Sequence, residues 1–233
     1  MESAVSPQIF ELVARGGWVM GILLLLSGAG MSIVLVKLYQ FTRLRIWSRA
    51  WLAKVLSAVR SGDATRALEI TRKTPGPIAH VITIALSERQ RDDLSPEALR
   101  EELQRAGDAE IGALESNLRG LEVIGSLAPL LGLLGTVLGM IRAFMRLEEA
   151  GARVDPSLLS GGIWEALLTT AMGISLAVPC LAALAWLESQ VDRVRRTMSD
   201  ALTRVLNAPT PDRAANDEGA TAQLRPAGSP RAL

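Results

Sequence analysis

The sequence contains one cysteine, Cys180, and one histidine, His80. The first excludes an internal disulfide framework and any multi-cysteine metal centre. The second excludes the usual His-rich metal sets, so no metal site is expected. Lys and Arg together number 25 against 24 Asp and Glu, a net charge of +1, and so imply no bulk attraction to nucleic acid. G-x-x-x-x-G-K-[ST], H-E-x-x-H and a Cys/His nucleophile pair are all missing, which points away from an enzyme and from a cofactor. GLLGTVLG has the glycines of a phosphate loop, but it lies in an apolar run and lacks the lysine.

Hydrophobic residues make up 49% of the chain, and they collect in blocks. The first, Gly16 to Val36, carries no charge. About twenty residues rising 1.5 Å each span roughly 30 Å, the thickness of a bilayer's hydrocarbon core. The run is longer than the apolar part of a signal peptide, and no A-x-A site follows it. The second block runs from Val123 to Ile141 and the third from Ile163 to Leu187. The expected fold is an all-α membrane protein, with three transmembrane helices and long cytoplasmic helical extensions. Lys37, Arg43, Arg45 and Arg49 follow the first span, and Arg193, Arg195 and Arg196 follow the third. The positive-inside rule therefore puts the N-terminus outside and the C-terminus in the cytoplasm.

The expected organisation has an interfacial amphipathic helix over 1–15 (with Ile9, Leu12 and Val13 on one side), a first transmembrane helix over 16–40 and a cytoplasmic helical region over 41–121. A second transmembrane helix over 122–145 and a periplasmic loop over 146–162 follow. The third transmembrane helix covers 163–187, its cytoplasmic extension 188–207, and a disordered, Pro- and Ala-rich tail 208–233. Within the cytoplasmic region, Trp47, Trp51, Leu52 and Val55 recur at helical spacing. Ser95-Pro96-Glu97 is a helix start, with Ser95 as N-cap. With no proline before Pro129, one helix is expected from Pro96 to about Leu147, supported by Glu101–Arg105 and Glu115–Arg119 pairs.

Two stripes of small residues run along the later spans. Gly125, Ala128, Gly132, Gly135 and Gly139 share one face of the second; Gly162, Ala166, Thr169, Gly173 and Ala177 share one face of the third. Lipid supplies no hydrophobic drive between helices, so close backbone packing must hold them together. The spacing fits packing of the second span on the third, packing on another copy, or both. Pro129 and Pro179 lie inside these spans as kinks or hinges.

Polar groups inside a membrane are candidates for function. Thr136 lies roughly 9 Å inside Arg142, and Thr170 roughly 7.5 Å deeper than Glu165, so the two threonines fall at a similar depth on antiparallel helices. Together they could line a path with Glu165 above. The alternative for each threonine is a hydroxyl bonded back to its own helix. No Asp, Glu, His or Lys stands in the middle of any span. A proton path here would need its titratable group from a partner chain.

GSLAPLLGLLGTVLGMIRAF (Gly125–Phe144) and GGIWEALLTTAMGISLAVP (Gly161–Pro179) resemble the ExbB/TolQ/MotA proton-channel family, nearest its ExbB branch. The likeness covers about Glu11 to Leu206, in motif for the spans and in layout for the cytoplasmic region. It implies a bacterial inner-membrane homo-oligomer, a pentamer, around an ExbD-type single-span protein that carries the proton-accepting aspartate. It also implies a TonB-type protein that spends the proton-motive force on outer-membrane transport. Thr136, Thr170 and Glu165 fall on the family's proton-path positions. TolQ, which supports envelope integrity, is the competing branch, and a passive membrane scaffold is the competing class.

Overall fold

The computed structural model describes residues 5–44, 50–91, 95–150 and 156–208, with backbone alone at 5–16, 91, 150 and 156–159. Among these residues all regular structure is helical. The elements are α1 (Val5–Arg43), α2 (Ala50–Arg60), α3 (Ala64–Arg72), α4 (Pro77–Arg91), α5 (Pro96–Glu115), α6 (Leu118–Ala150) and α7 (Pro156–Leu206). The expected all-α fold with three apolar spanning helices is met. Gly17–Arg43, Pro96–Glu149 and Ser160–Leu206 each contain a stretch long and apolar enough to cross a bilayer. Trp47, Arg45, Arg49 and the tail over 209–233 lie outside the described residues, as do the middle of the 146–162 connection and the side chains of Ile9, Leu12 and Val13.

The chain forms two compact units, residues 1–40 with 115–191, and residues 41–114 with 192–233. In the first unit α1 is broken at Gly17, which has φ 66° and ψ −166°. That region is nearly confined to glycine and costs other residues about 1–3 kcal/mol. The guanidinium of Arg142 sits over the break, 3.3 Å from where a Cβ of residue 17 would lie. Beyond it, Val19 and Leu23 of α1 pack with Ala128 of α6 and Ala177 of α7, and Leu131, Leu138, Met172 and Leu176 close around them. Leu25, Leu130, Trp164 and Val178 point outward and are each at least 60% exposed. Apolar surface on that scale belongs against lipid or another chain, not water.

The expected single helix from Pro96 to about Leu147 is corrected. It is interrupted at Ser116–Asn117, between α5 and α6. Asn117 adopts φ 64°, and the Gly120 amide donates to its carbonyl at 3.1 Å. Asparagine tolerates this left-handed conformation far better than most residues, so a helix can end there without proline or glycine. Two expected ion pairs also differ. Glu115 and Arg119 stand on opposite sides of the break, and Arg105 pairs with Glu102.

The first unit also holds Lys37, read from the sequence as a charge flanking the span. It is 1% exposed, and its ammonium donates to Gln40 Oε1 at 3.0 Å and to Ser116 Oγ at 3.3 Å. It therefore fastens α1 to the α5–α6 break.

The second unit is built like a soluble helical bundle. Val55 and Val59 of α2, Val81, Ile82 and Ala85 of α4, Leu103 and Ile111 of α5, and Val194, Met198 and Val205 of α7 are all buried. Its helix ends are capped. The Asp63 carboxylate accepts from the Arg66 amide at 2.9 Å, and the Ser95 hydroxyl accepts from the Ala98 amide at 3.2 Å. The Arg89 guanidinium donates to the carbonyls of Val205 and Ala208, where α7 ends and its own amides no longer serve.

Candidate functional site

The two small-residue stripes face each other within the first unit. Gly132 stands against the backbone of α7, with the Thr169 carbonyl and the Thr170 Cα both 3.0 Å from where its Cβ would be. Gly173 is tighter still, because a Cβ there would lie 2.5 Å from the Ala128 carbonyl oxygen. Gly135 meets the Thr169 side chain, Gly139 meets Ala166, Gly162 meets Ala143, and Gly125 meets Leu181. Ala128 is fully buried and Ala177 nearly so. Absent side chains thus let α6 and α7 come close enough for hydroxyl-to-backbone bonds between them.

The Thr170 hydroxyl donates to the Gly132 carbonyl across the helix pair at 2.9 Å. Thr169 beside it is 2% exposed; its hydroxyl donates to Ala166 in its own helix at 2.7 Å and lies 3.4 Å from the same Gly132 carbonyl. Thr136, one turn along α6 from Gly132, donates to the Leu133 carbonyl at 2.7 Å and is half-buried. Thr136 and Thr170 therefore lie at one level of the pair without sharing a hydroxyl proton. Thr136 has the back-bonded arrangement common in membrane helices, whereas Thr170 bridges. Glu165 is half-buried on α7, next to the Ala166 that packs on Gly139. Pro129 and Pro179 lie inside α6 and α7, which continue through both.

The chemistry open to this layer follows from where the protons are. Each threonine hydroxyl has one proton, and both protons are held by main-chain carbonyls. What remains are lone pairs, which can accept from water, hydronium or a protonated carboxyl. Neither group titrates near neutral pH, so the layer can guide a proton without carrying it. Among the described residues no group of three or more His, Cys, Asp or Glu comes together to hold a metal.

Two participants escaped the sequence reading. Thr169 appeared there only as a small member of a stripe, yet it is a buried hydroxyl on the shared carbonyl; the Thr169-Thr170 doublet facing Gly132 was the available signal. Arg142 appeared only as the marker for the depth of Thr136, yet it lies over Gly17, and the Gly16-Gly17 doublet was its signal.

A family model described as the MotA/TolQ/ExbB proton channel family matches residues 73–200. An ExbB-like protein of Synechocystis sp. is 34% identical over 176 residues, covering 74% of this chain and 68% of that protein. The biopolymer transport protein ExbB of Xanthomonas campestris pv. campestris is 29% identical over 196 residues, covering 78% and 75%. The Tol-Pal system protein TolQ of Haemophilus influenzae is 32% identical over 120 residues, covering 48% and 52%.

Proposed function

The chain belongs to the MotA/TolQ/ExbB proton channel family, and from that membership we propose that it forms the wall of a proton path in a bacterial inner-membrane energy-transducing complex. The family is one of channel components rather than enzymes. The observation that carries the reading is the hydroxyl layer of Thr136 and Thr170, the latter bonded across the helix pair to Gly132, within the apolar stretches of α6 and α7. The layer has no titratable group of its own, so the proton acceptor comes from a partner. In this proposal an ExbD-type single-span protein supplies it as an aspartate, copies of this chain surround it as a pentamer, and a TonB-type protein receives the work for outer-membrane transport. Glu165 stands at the mouth of the path. The N-terminus is periplasmic and the C-terminus cytoplasmic, a reading supported by Arg193, Arg195 and Arg196 after the third span.

A second reading, the TolQ branch, rests on the Haemophilus relative. The mechanism is then the same and the output is envelope integrity. Deleting the gene and assaying both energised uptake of an iron carrier and detergent sensitivity separates the branches. Lost uptake with an intact envelope supports the ExbB branch, and a leaky envelope with normal uptake supports TolQ. Full rescue of the deletion by a Thr170→Val copy counts against the proton path and favours a passive scaffold.

A further inference from the structure

The second unit carries two charged stripes of opposite sign. On α5 the buried residues Leu103, Gly107, Ile111 and Leu114 mark one face. Glu97, Glu101 and Asp108 follow one another at intervals of four and seven, so they form a single line to the side of that face, and all three are exposed. On α7 the buried residues Val194, Met198, Ala201 and Val205 mark one face. Arg193 and Arg204 stand beside that face and Arg196 on its far side, all three exposed. With Leu52 and Leu56 of α2, and with Thr197 and Asp200, they line an open cleft of about 490 Å³ that has an apolar floor and a rim of three arginines to one aspartate, Asp200, which pairs with Arg204 at 3.0 Å.

The stripes are matched in level as well as in sign. Gly107 packs on Met198, whose sulfur is 3.4 Å from where a Cβ of residue 107 would lie. Chain order makes the two helices antiparallel in this unit, since α5 runs toward residue 115 and α7 runs away from residue 191. Counting from the Gly107–Met198 contact, Glu101 and Arg204 are each six residues on in the same direction, about 9 Å. Asp108 and Arg196 are one and two residues on the other way. Two acids on α5 thus each have an arginine of α7 at their own level.

We propose that the acidic line of α5 in one copy of this chain docks on the arginine-rimmed cleft of the next copy. The inference rests on the homo-oligomeric reading above. A closed ring in a bilayer has its axis along the membrane normal, so equal levels of successive copies meet. The contact is head-to-tail, using each stripe once per copy, as a closed ring requires. A lipid headgroup fits the cleft less well, because Arg193 and Arg204 lie eleven residues, roughly 16 Å, apart along α7, whereas a headgroup layer is only about 5–7 Å deep.

The test co-expresses two differently tagged full-length copies with the membrane partner, one carrying Glu101→Cys and the other Arg204→Cys. Membranes are treated with a short bismaleimide, and native mass spectrometry follows the assembly. The expected result is a band containing both tags, absent when either variant is expressed alone. Arg204→Glu is expected to weaken the assembly and to be rescued by Glu101→Arg in the same chain. An intact ring without the two-tag band overturns this interface and leaves the proton-channel reading standing. A chain that stays monomeric with its partner present overturns both.

Discussion

Thr170 on α7 donates its hydroxyl proton to the Gly132 carbonyl on α6, 2.9 Å away. The bond exists because residue 132 has no side chain, so a packing feature and a polar feature of this helix pair are one feature. An inter-helix hydrogen bond of this kind in a membrane protein contributes on average about 0.6 kcal/mol. Thr170→Val keeps the volume and removes the hydroxyl. It is expected to lower thermal stability by only a few degrees and to leave oligomer mass unchanged, while abolishing energised output. Thr170→Ser, which keeps the donor, is expected to retain output. Complementation with each variant, alongside native mass spectrometry, checks both halves.

Glycines differ in what they tolerate. A Cβ at Gly173 meets a backbone oxygen at 2.5 Å, which cannot rotate away, whereas a Cβ at Gly21 meets nothing within 4 Å. Gly173→Ala is therefore expected to push α6 and α7 apart at a cost of about 1–3 kcal/mol. Gly21→Ala, in an apolar helix, is expected to be neutral or slightly stabilising. Detergent-solubilised melting of the two variants gives the comparison, and equal stability would contradict the packing described.

The α5–α6 break rests on Asn117 at φ 64°. Asn117→Gly is expected to be silent, because glycine reaches the same conformation freely. Asn117→Val puts a β-branched residue where it is strongly disfavoured, and a loss of about 1–2 kcal/mol is expected. Amide exchange around residues 114–120 reads this locally. Faster exchange in the valine variant and unchanged exchange in the glycine variant is the expected pair.

Outside the spans, Lys73 hydrogen-bonds Glu69 one turn back and holds its carboxyl below the usual range. A depressed folded value means the stabilisation is present above the unfolded pKa and fades as pH falls through the lower folded one. Both groups are largely exposed, and such pairs contribute little. Lys73→Ala is expected to leave the melting temperature at pH 7 within scatter, and acidification is expected to affect wild type and variant alike.

Spans and stripes were legible in the sequence because they rest on composition and period alone. Twenty uncharged residues have few other uses, and glycine at every third or fourth position marks a face that carries almost no side chain. The break at Asn117 was not legible, since continuity was judged from missing proline and glycine, and a left-handed asparagine needs neither. Lys37 was misread because a lysine after an apolar run ordinarily reaches for water. Its burial depends on Ser116, 79 positions away, which no local pattern reveals. The depth match of Thr136 and Thr170 could be counted from the span ends, but which carbonyl each hydroxyl takes depended on how closely Gly132 admits α7.

The most direct test of the account is proton influx into vesicles that contain the chain with its single-span partner, under an imposed proton gradient. Thr170→Val is expected to cut the influx by about tenfold or more, a change of about 1.4 kcal/mol or more in barrier, with assembly mass unchanged. Wild-type influx in a Thr136→Val/Thr170→Val double variant would contradict the claim that this hydroxyl layer lines the path.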